Sequence, residues 1–473
     1  MSRHATAPED RVPLAHKVAY GAGAFVNNTL AAAIGGMSIV LNLGLGMNPA
    51  WVGLLGAIPR LTDAFTDPLV GYLSDNTRSR WGRRRPWIAG GAITVGLIYI
   101  LLWQLPVAAG NTVVFWWFLV GSMLFYLAYT AFATPWVALG YELTPDYHER
   151  TRLMGVQNFI GQLAYVVAPW FLWIMTNEAW FDDQVEGAAA LAVVIAVVAI
   201  ALGILPAVFL RERFVDSADE APKKTLTETG VDFWTGLLTT LKSVPFLQLC
   251  AATFLVFNGF ILISAFQSYV IIYYVFGGDQ VRGAEFVGWS GSVGAASTFA
   301  VIAIVTWLGT KIGKRRAFFV STGLSIVGYL LKWFCYDPSM PWLLLVPAPL
   351  MAFGLGGLFT LVPSMVADVV DQDELETHQR REGMYGSIFW WVVKLGMSVA
   401  IAGGGFLLNW TGFDVALEGA QTADAIYWMR VCDVVVPAVT SALAIVAIAS
   451  YGITEEVAQT TRETLEARRG KTA

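Results

Sequence analysis

Residues 60–86 read Arg60-Leu61-Thr62-Asp63-Ala64-Phe65-Thr66-Asp67-Pro68-Leu69-Val70-Gly71-Tyr72-Leu73-Ser74-Asp75-Asn76-Thr77-Arg78-Ser79-Arg80-Trp81-Gly82-Arg83-Arg84-Arg85-Pro86. The first part is an apolar stretch with charges set three and four residues apart. On a helix those offsets share a face, so Arg60, Asp63 and Asp67 line one side. The second part is a polar turn dense in arginine. On either side the chain returns to long apolar runs, and runs of 18 or more such residues recur along all 473 residues. A helix needs about 20 apolar residues to cross the ~30 Å hydrocarbon layer. Hydrophobic residues make up 56% of the chain and charged residues 14%, against about 25% charged in soluble domains. A large apolar core could share that composition, but not such long continuous runs. A barrel would instead show alternating segments of about ten residues. We therefore expect an all-α integral membrane protein.

Working outward gives spans at roughly 17–45, 50–75, 87–108, 112–141, 153–177, 188–210, 245–276, 285–310, 317–336, 341–367, 384–408 and 427–452, twelve in all. Lys and Arg crowd alternate loops: Arg78, Arg80 and Arg83 to Arg85; Arg150 and Arg152; Arg211, Arg213, Lys223 and Lys224; Lys311 and Lys314 to Arg316; Arg380 and Arg381. The intervening loops hold mainly acidic residues. The positive-inside rule then puts both termini in the cytoplasm of a multi-pass protein of the cell (inner) membrane. The charged stretch at 211–232 reads as a linker. We expect an N-terminal six-helix half at 1–210, a cytoplasmic linker at 211–244, and a C-terminal half with its tail at 245–473. The halves echo each other: Trp81-Gly82-Arg83-Arg84-Arg85 against Ile312-Gly313-Lys314-Arg315-Arg316, and Pro135 against Pro363.

Charge inside an apolar helix is expensive, about 2.5–3.5 kcal/mol per residue on insertion scales, and marks function by default. One arginine cannot neutralise two carboxylates. The surplus on the Arg60–Asp63–Asp67 face favours a cation, either Na⁺ on hard oxygen ligands or a proton on one carboxyl. If the ion is Na⁺, Asp63 and Asp67 are its ligands. Lys394 lies about 16 Å into its span, too deep to snorkel easily, and is expected to meet a charge on another helix. A static bridge and an ion-dependent switch both remain open there. His4, His16, His148 and His378 lie in the tail or loops, so a histidine relay is not expected. Arg430 and Asp433, three apart, are expected to pair with each other. Most of the 19 tryptophans should form interfacial belts; Trp136, Trp390 and Trp391 are placed to stack on a solute.

Cys250, Cys335 and Cys432 are too scattered for a disulfide framework or a zinc site. The polar N-terminus and long first span do not read as a cleavable signal. No nucleophile–base pair, metal spacing or phosphate loop points to an enzyme. Gly354-Leu355-Gly356-Gly357 and Gly403-Gly404-Gly405 read as helix-packing sites or hinges.

The string at 60–86 resembles the glycoside–pentoside–hexuronide:cation symporters, the family that includes the melibiose permease. Its second part is also a form of the loop signature of major-facilitator transporters. Two further stretches agree. Tyr129-Thr130-Ala131-Phe132-Ala133-Thr134-Pro135-Trp136 runs on to Glu142-Leu143-Thr144-Pro145-Asp146-Tyr147-His148-Glu149-Arg150-Thr151-Arg152. Ala367-Asp368-Val369-Val370-Asp371 leads through Arg380-Arg381-Glu382-Gly383 to Lys394. The resemblance implies the major facilitator fold of twelve helices in two six-helix halves, working by alternating access.

Residue by residue, the resemblance implies a cation site at Asp63, Asp67 and Thr130, with Thr66 where the melibiose permease has an asparagine. It places Arg60 on the same face and Lys394 near both sites. At the solute site Asn28 and Ala133 replace two aspartates and Asn158 replaces an arginine. The coupling machinery is kept while the substrate readout is changed. We assign Asn28, Arg60, Asn158, Trp390 and Lys394 to the solute and Gly71, Asp75, Arg78 and Arg83 to a gating clamp between halves. The expected activity is symport of a sugar, glycoside or related polar solute with H⁺ or Na⁺. An uncoupled facilitator and a carrier of a lipid-like substrate are the alternatives. Partners are the solute, the cation and the bilayer, with no cofactor and no nucleic acid, on a monomer.

Overall fold

The computed structural model describes residues 10–144, 146–212, 240–378 and 381–468. Among these there is no strand. Six long helices come first: α1 (Leu14–Met37), α2 (Pro49–Asn76), α3 (Arg85–Leu102), α4 (Asn111–Glu142), α5 (Tyr147–Val167) and α6 (Gln184–Gly203). Then follow α7 (Val244–Tyr269), α8 (Gln280–Ile312), α9 (Lys314–Cys335), α10 (Pro347–Thr377), α11 (Glu382–Trp410) and α12 (Ala423–Ala449), with a shorter α13 (Glu455–Arg468). A π-helical turn, Val270–Val275, ends α7. Eleven of the long segments are apolar enough to cross a membrane. The twelfth, α2, has the length at 28 residues but carries the charges quoted above.

Local chemistry sets the helix ends. Asn48 accepts from Ala50 N at 2.9 Å and Pro49 opens α2. Asp146 accepts from Glu149 N at 2.7 Å at the start of α5, and Asp183 accepts from Val185 N and Glu186 N, each at 2.8 Å, at the start of α6. Such caps satisfy amide groups that no helical carbonyl can reach. The helices run past the predicted spans in places: α10 continues to Thr377, where His378 turns it off at φ 58°. His16 and His148, expected in the tail and loops, fall in the first turns of α1 and α5.

The chain divides into two compact units, Met1–Leu226 and Thr227–Ala473. The expected linker at 211–244 falls largely outside the described residues. In the first unit α1 packs on α5 and α6, α2 on α4, and α3 on α4 and α6. In the second, α7 packs on α11 and α12, α8 on α10, and α9 on α10 and α12. Adding six to each number in the first set gives the second, so the loop echo extends to the helix pairing.

Lipid tails are as apolar as leucine, so these helices gain little from hydrophobic burial and rely on close approach. A Cβ on Gly91 would lie 2.6 Å from Phe132 N, and one on Gly328 would lie 2.8 Å from Met351 N. Glycine lets α3 meet α4, and α9 meet α10, backbone to backbone. Gly356 and Gly357 likewise abut Val301 and Ser321.

The expected Arg430–Asp433 pair does not form. Asp433 points from α12 into α9, where its Oδ1 lies 2.6 Å from Lys332 Nζ; the two side chains are 1% and 0% exposed. Arg430 sits between the rings of Tyr274 and Trp333, 3.9 and 4.3 Å from their centroids, and donates to Trp333 O at 3.0 Å. A guanidinium stacks well on aromatic faces. The fully buried aspartate takes the cation it meets across the helix interface.

Candidate functional site: a carboxylate–hydroxyl pair beside a buried arginine

Within the first unit, α2 and α4 face each other along their length. Thr130 on α4 donates its hydroxyl to Asp67 Oδ1 on α2 at 3.1 Å. Thr130 is 1% exposed. Two turns of α2 away, Arg60 is 7% exposed, and its guanidinium carbon lies 4.9 Å from the Tyr126 ring centroid. Two hard oxygens at this separation can share one small cation, or the hydroxyl can stabilise the charged carboxylate directly. Thr66 and Asp67 are both half-buried. The side chain of Asp63 lies outside the described residues.

A second polar string runs through α1. Tyr129 donates to Asn27 Oδ1 at 2.8 Å, Asn27 to Asn28 Oδ1 at 3.2 Å, and Asn28 to Gly161 O at 3.0 Å. Tyr129 and Thr130 are adjacent, so one turn of α4 touches both Asp67 and the Asn27–Asn28 pair. Asn158 is exposed on α5 and Ala133 half-buried on α4. Sequence reasoning named Asn28 and missed Asn27, which the Tyr129 hydroxyl singles out.

Trp136 does not fit its expected stacking role. It is 3% exposed, stacks on Tyr20 at 5.1 Å and donates to Tyr20 O at 3.1 Å. It packs α1 on α4 and leaves no open face for a solute. In the second unit, Trp390 on α11 is 53% exposed and lies parallel to Phe359 at 6.0 Å. Lys394, one turn further on α11, is half-buried, as is Trp391.

The basic loop after α2 forms an ion-pair network within the first unit. Arg84 donates to Asp75 Oδ1 from Nε at 3.0 Å and from Nη2 at 2.7 Å. Arg84 Nη1 lies 2.7 Å from Glu142 Oε1, which also pairs with Arg83. The predicted Asp75 thus meets Arg84, not Arg83, and Arg78 is exposed. A Cβ on Gly71 would meet only Thr134 Cγ2 at 3.6 Å, so no steric demand for glycine exists there. Glu142 and Arg84 were not predicted, although both lie in the quoted strings. The second unit repeats the theme with Lys314 and Asp368 Oδ2 at 2.6 Å. Arg381 forks onto both oxygens of Asp373, at 2.9 and 2.6 Å.

At the same end of the first unit, where α5 begins just after Glu142, Glu149 accepts from Val12 N at 3.1 Å. It pairs with Lys17 at 2.6 Å and with Arg152 at 3.1 Å. Burial disfavours its charge, but the Lys17, Val12 and Arg152 hydrogen bonds outweigh that and hold its carboxyl below the usual glutamate range.

Comparison with known proteins decides the family. The family described as MFS/sugar transport protein matches residues 19–455. The chain belongs to that family. This MFS protein is therefore a multi-pass membrane transporter and not an enzyme, as the string at 60–86 implied. It is 26% identical over 415 residues to the isoprimeverose transporter of Lactiplantibacillus pentosus, covering 86% of this chain and 82% of that one. It is 24% identical to the glucuronide carrier protein homologue of Escherichia coli K12, covering 87% and 86%. It is 22% identical to the sodium-dependent lysophosphatidylcholine symporter 1-B of Danio rerio, covering 99% and 92%. Among solved structures, an inward-facing, unoccupied bacterial homologue of the human lysosomal transporter Spinster aligns with a TM-score of 0.65. That alignment has 16% identity and covers 96% of this chain and 97% of that one. The fold is that of the major facilitators.

Proposed function

We propose that this transporter is a symporter that couples a cation gradient to uptake of a sugar acid or glycoside. The observation that carries the reading is the Asp67 carboxylate held by the Thr130 hydroxyl at 3.1 Å, two turns from a buried Arg60 on the same membrane helix. An uncoupled facilitator has no use for that arrangement. Both termini and the linker lie in the cytoplasm on this reading, by the distribution of Lys and Arg. Thr66 favours H⁺ over Na⁺, since a hydroxyl is a weaker Na⁺ ligand than an amide carbonyl and a carboxylate pair can hold one shared proton.

Asn28 and Ala133 shape the substrate. A carboxylate accepts from several hydroxyls at once, in charge-assisted bonds about twice as strong as neutral ones. Asn28 makes at most neutral bonds, and Ala133 makes none. Each unpaired hydroxyl in a desolvated site costs about 1–3 kcal/mol, which disfavours α-galactosides. The loss of two negative charges admits anionic solutes, with Arg60 or Lys394 for a carboxylate. The likeness to a glucuronide carrier supports a uronide. The likeness to a lysophosphatidylcholine symporter supports a second reading, a lipid-like substrate.

Uptake by cells expressing the protein tests this. Glucuronides, xylosides, melibiose and lysophospholipids are each offered with a Na⁺ gradient, a pH gradient or neither. Uronide accumulation that collapses with one gradient is expected. Driven melibiose uptake would overturn the substrate reading, and gradient-independent equilibration would overturn coupling. External labelling of a single cysteine at position 217 by an impermeant reagent would overturn the topology.

A further inference from the structure

The second residue of the polar linker, Glu212, is tied backwards onto the first unit. Glu212 Oε1 accepts from Arg84 N at 2.8 Å and from Arg85 N at 3.1 Å, and Oε2 accepts from Arg83 N at 3.0 Å. The Glu212 side chain is 1% exposed, with Arg83 Nε 3.8 Å away. Arg85 opens α3 and Pro86 follows it. Helix N-termini leave such N–H groups without helical acceptors, and the helix dipole favours an anion there. Consecutive N–H groups turned to one side form a concavity suited to an anion, and here it is filled by a carboxylate from 127 to 129 residues away.

Two independent features fit this contact. Gly82 has φ +102°, and a Cβ there would lie 2.5 Å from Glu212 Oε1, so both the backbone and the approaching carboxylate require glycine. Arg85 donates from Nε to Ala207 O at 2.6 Å, drawing the segment just before Glu212 to the same loop. The three arginine amides and the side chains of Arg83 and Arg84 belong to one short stretch. Whatever fixes that backbone also aims both guanidinium groups at Glu142.

We propose that Glu212 is the positioning residue of the basic loop: its carboxylate closes the first turn of α3 and so sets Arg83 and Arg84 on Glu142. The linker's first residues and the loop at 77–84 then move as one body. The assignment is independent of substrate and coupling ion.

Hydrogen–deuterium exchange on the purified full-length protein tests it, read by mass spectrometry on peptides covering 80–88. In the parent the amides of Arg83, Arg84 and Arg85 exchange slowly. In Glu212→Ala and in Gly82→Ala they exchange at least tenfold faster, while peptides over 312–318, the matching loop of the second unit, are unchanged. Glu212→Gln keeps the shape but replaces one acceptor oxygen by a donor, so at least one of the three amides loses protection. Fast exchange of these amides in the parent overturns the assignment. So does parent-like protection of all three in a folded Glu212→Gln or Glu212→Ala protein. Failed transport alongside the expected exchange pattern would count against the symporter reading alone.

Discussion

Lys332 Nζ lies 2.6 Å from Asp433 Oδ1, with both side chains withdrawn from solvent between α9 and α12. Removing one member of a buried pair leaves a lone charge and costs about 3–5 kcal/mol, whereas replacing both with apolar groups is often neutral. Lys332→Met and Asp433→Leu should each lower the melting temperature and the yield sharply. The double variant should recover most of both. Thermal unfolding in detergent decides this, and a double variant no better than the singles would show that the pair does more than neutralise itself.

At the Asp67–Thr130 contact, Thr130→Val preserves volume and deletes the hydroxyl. A lost hydrogen bond to a charged group is worth about 1.5–3 kcal/mol, so the cation concentration giving half-maximal uptake should rise at least tenfold. Asp67→Asn should abolish uphill accumulation while leaving downhill exchange, because the solute and the ion use different groups. Paired accumulation and exchange assays on the same vesicles make the comparison.

Gly91 and Gly71 should part company on substitution. Gly91→Ala drives a methyl to within 2.6 Å of the Phe132 backbone and should force α3 away from α4, lowering stability by about 1–3 kcal/mol as overpacking does. Gly71→Ala meets only a methyl at 3.6 Å and should leave thermal stability within about 0.5 kcal/mol of the parent. Melting curves of the two variants suffice.

Glu149 gives the chain an acid limit. Its carboxyl is held low in the folded protein because hydrogen bonds from Lys17, Val12 and Arg152 outweigh burial. A depressed carboxyl stabilises the fold fully above its unfolded value, about 4.3 for glutamate, and loses that contribution as pH falls through the folded value. The parent should therefore lose stability below about pH 4.3. Glu149→Gln should be less stable at neutral pH and show a shallower acid decline. Melting temperatures between pH 3 and 7 check both.

The spans and the charged face of α2 could be read from the sequence because each is local: hydropathy runs with the chain, and Arg60 and Asp67 share a face by helical spacing alone. The Lys332–Asp433 pair could not, because its partners are 101 residues apart and a lysine near a span end reads as one that snorkels. Proximity along one helix made Arg430 the natural partner of Asp433, but the rings of Tyr274 and Trp333 offered the guanidinium a better seat. Trp136 shows the same limit: a tryptophan beside a proline in a span gives no sign of whether its ring faces a cavity or a neighbouring helix. Glu142 stood inside a quoted motif, yet only the packed loop shows which arginines it holds.

Because Glu212 binds back onto the loop before α3, the chain between α6 and α7 is not a uniform tether. A break after Glu212, for instance between Leu226 and Thr227, leaves every α1–α6 pairing and the carboxylate on one polypeptide. A break before it strips that polypeptide of its own stopper. Two co-expressed pieces split at the first position should reassemble into a working carrier far more readily than two split only fifteen residues earlier.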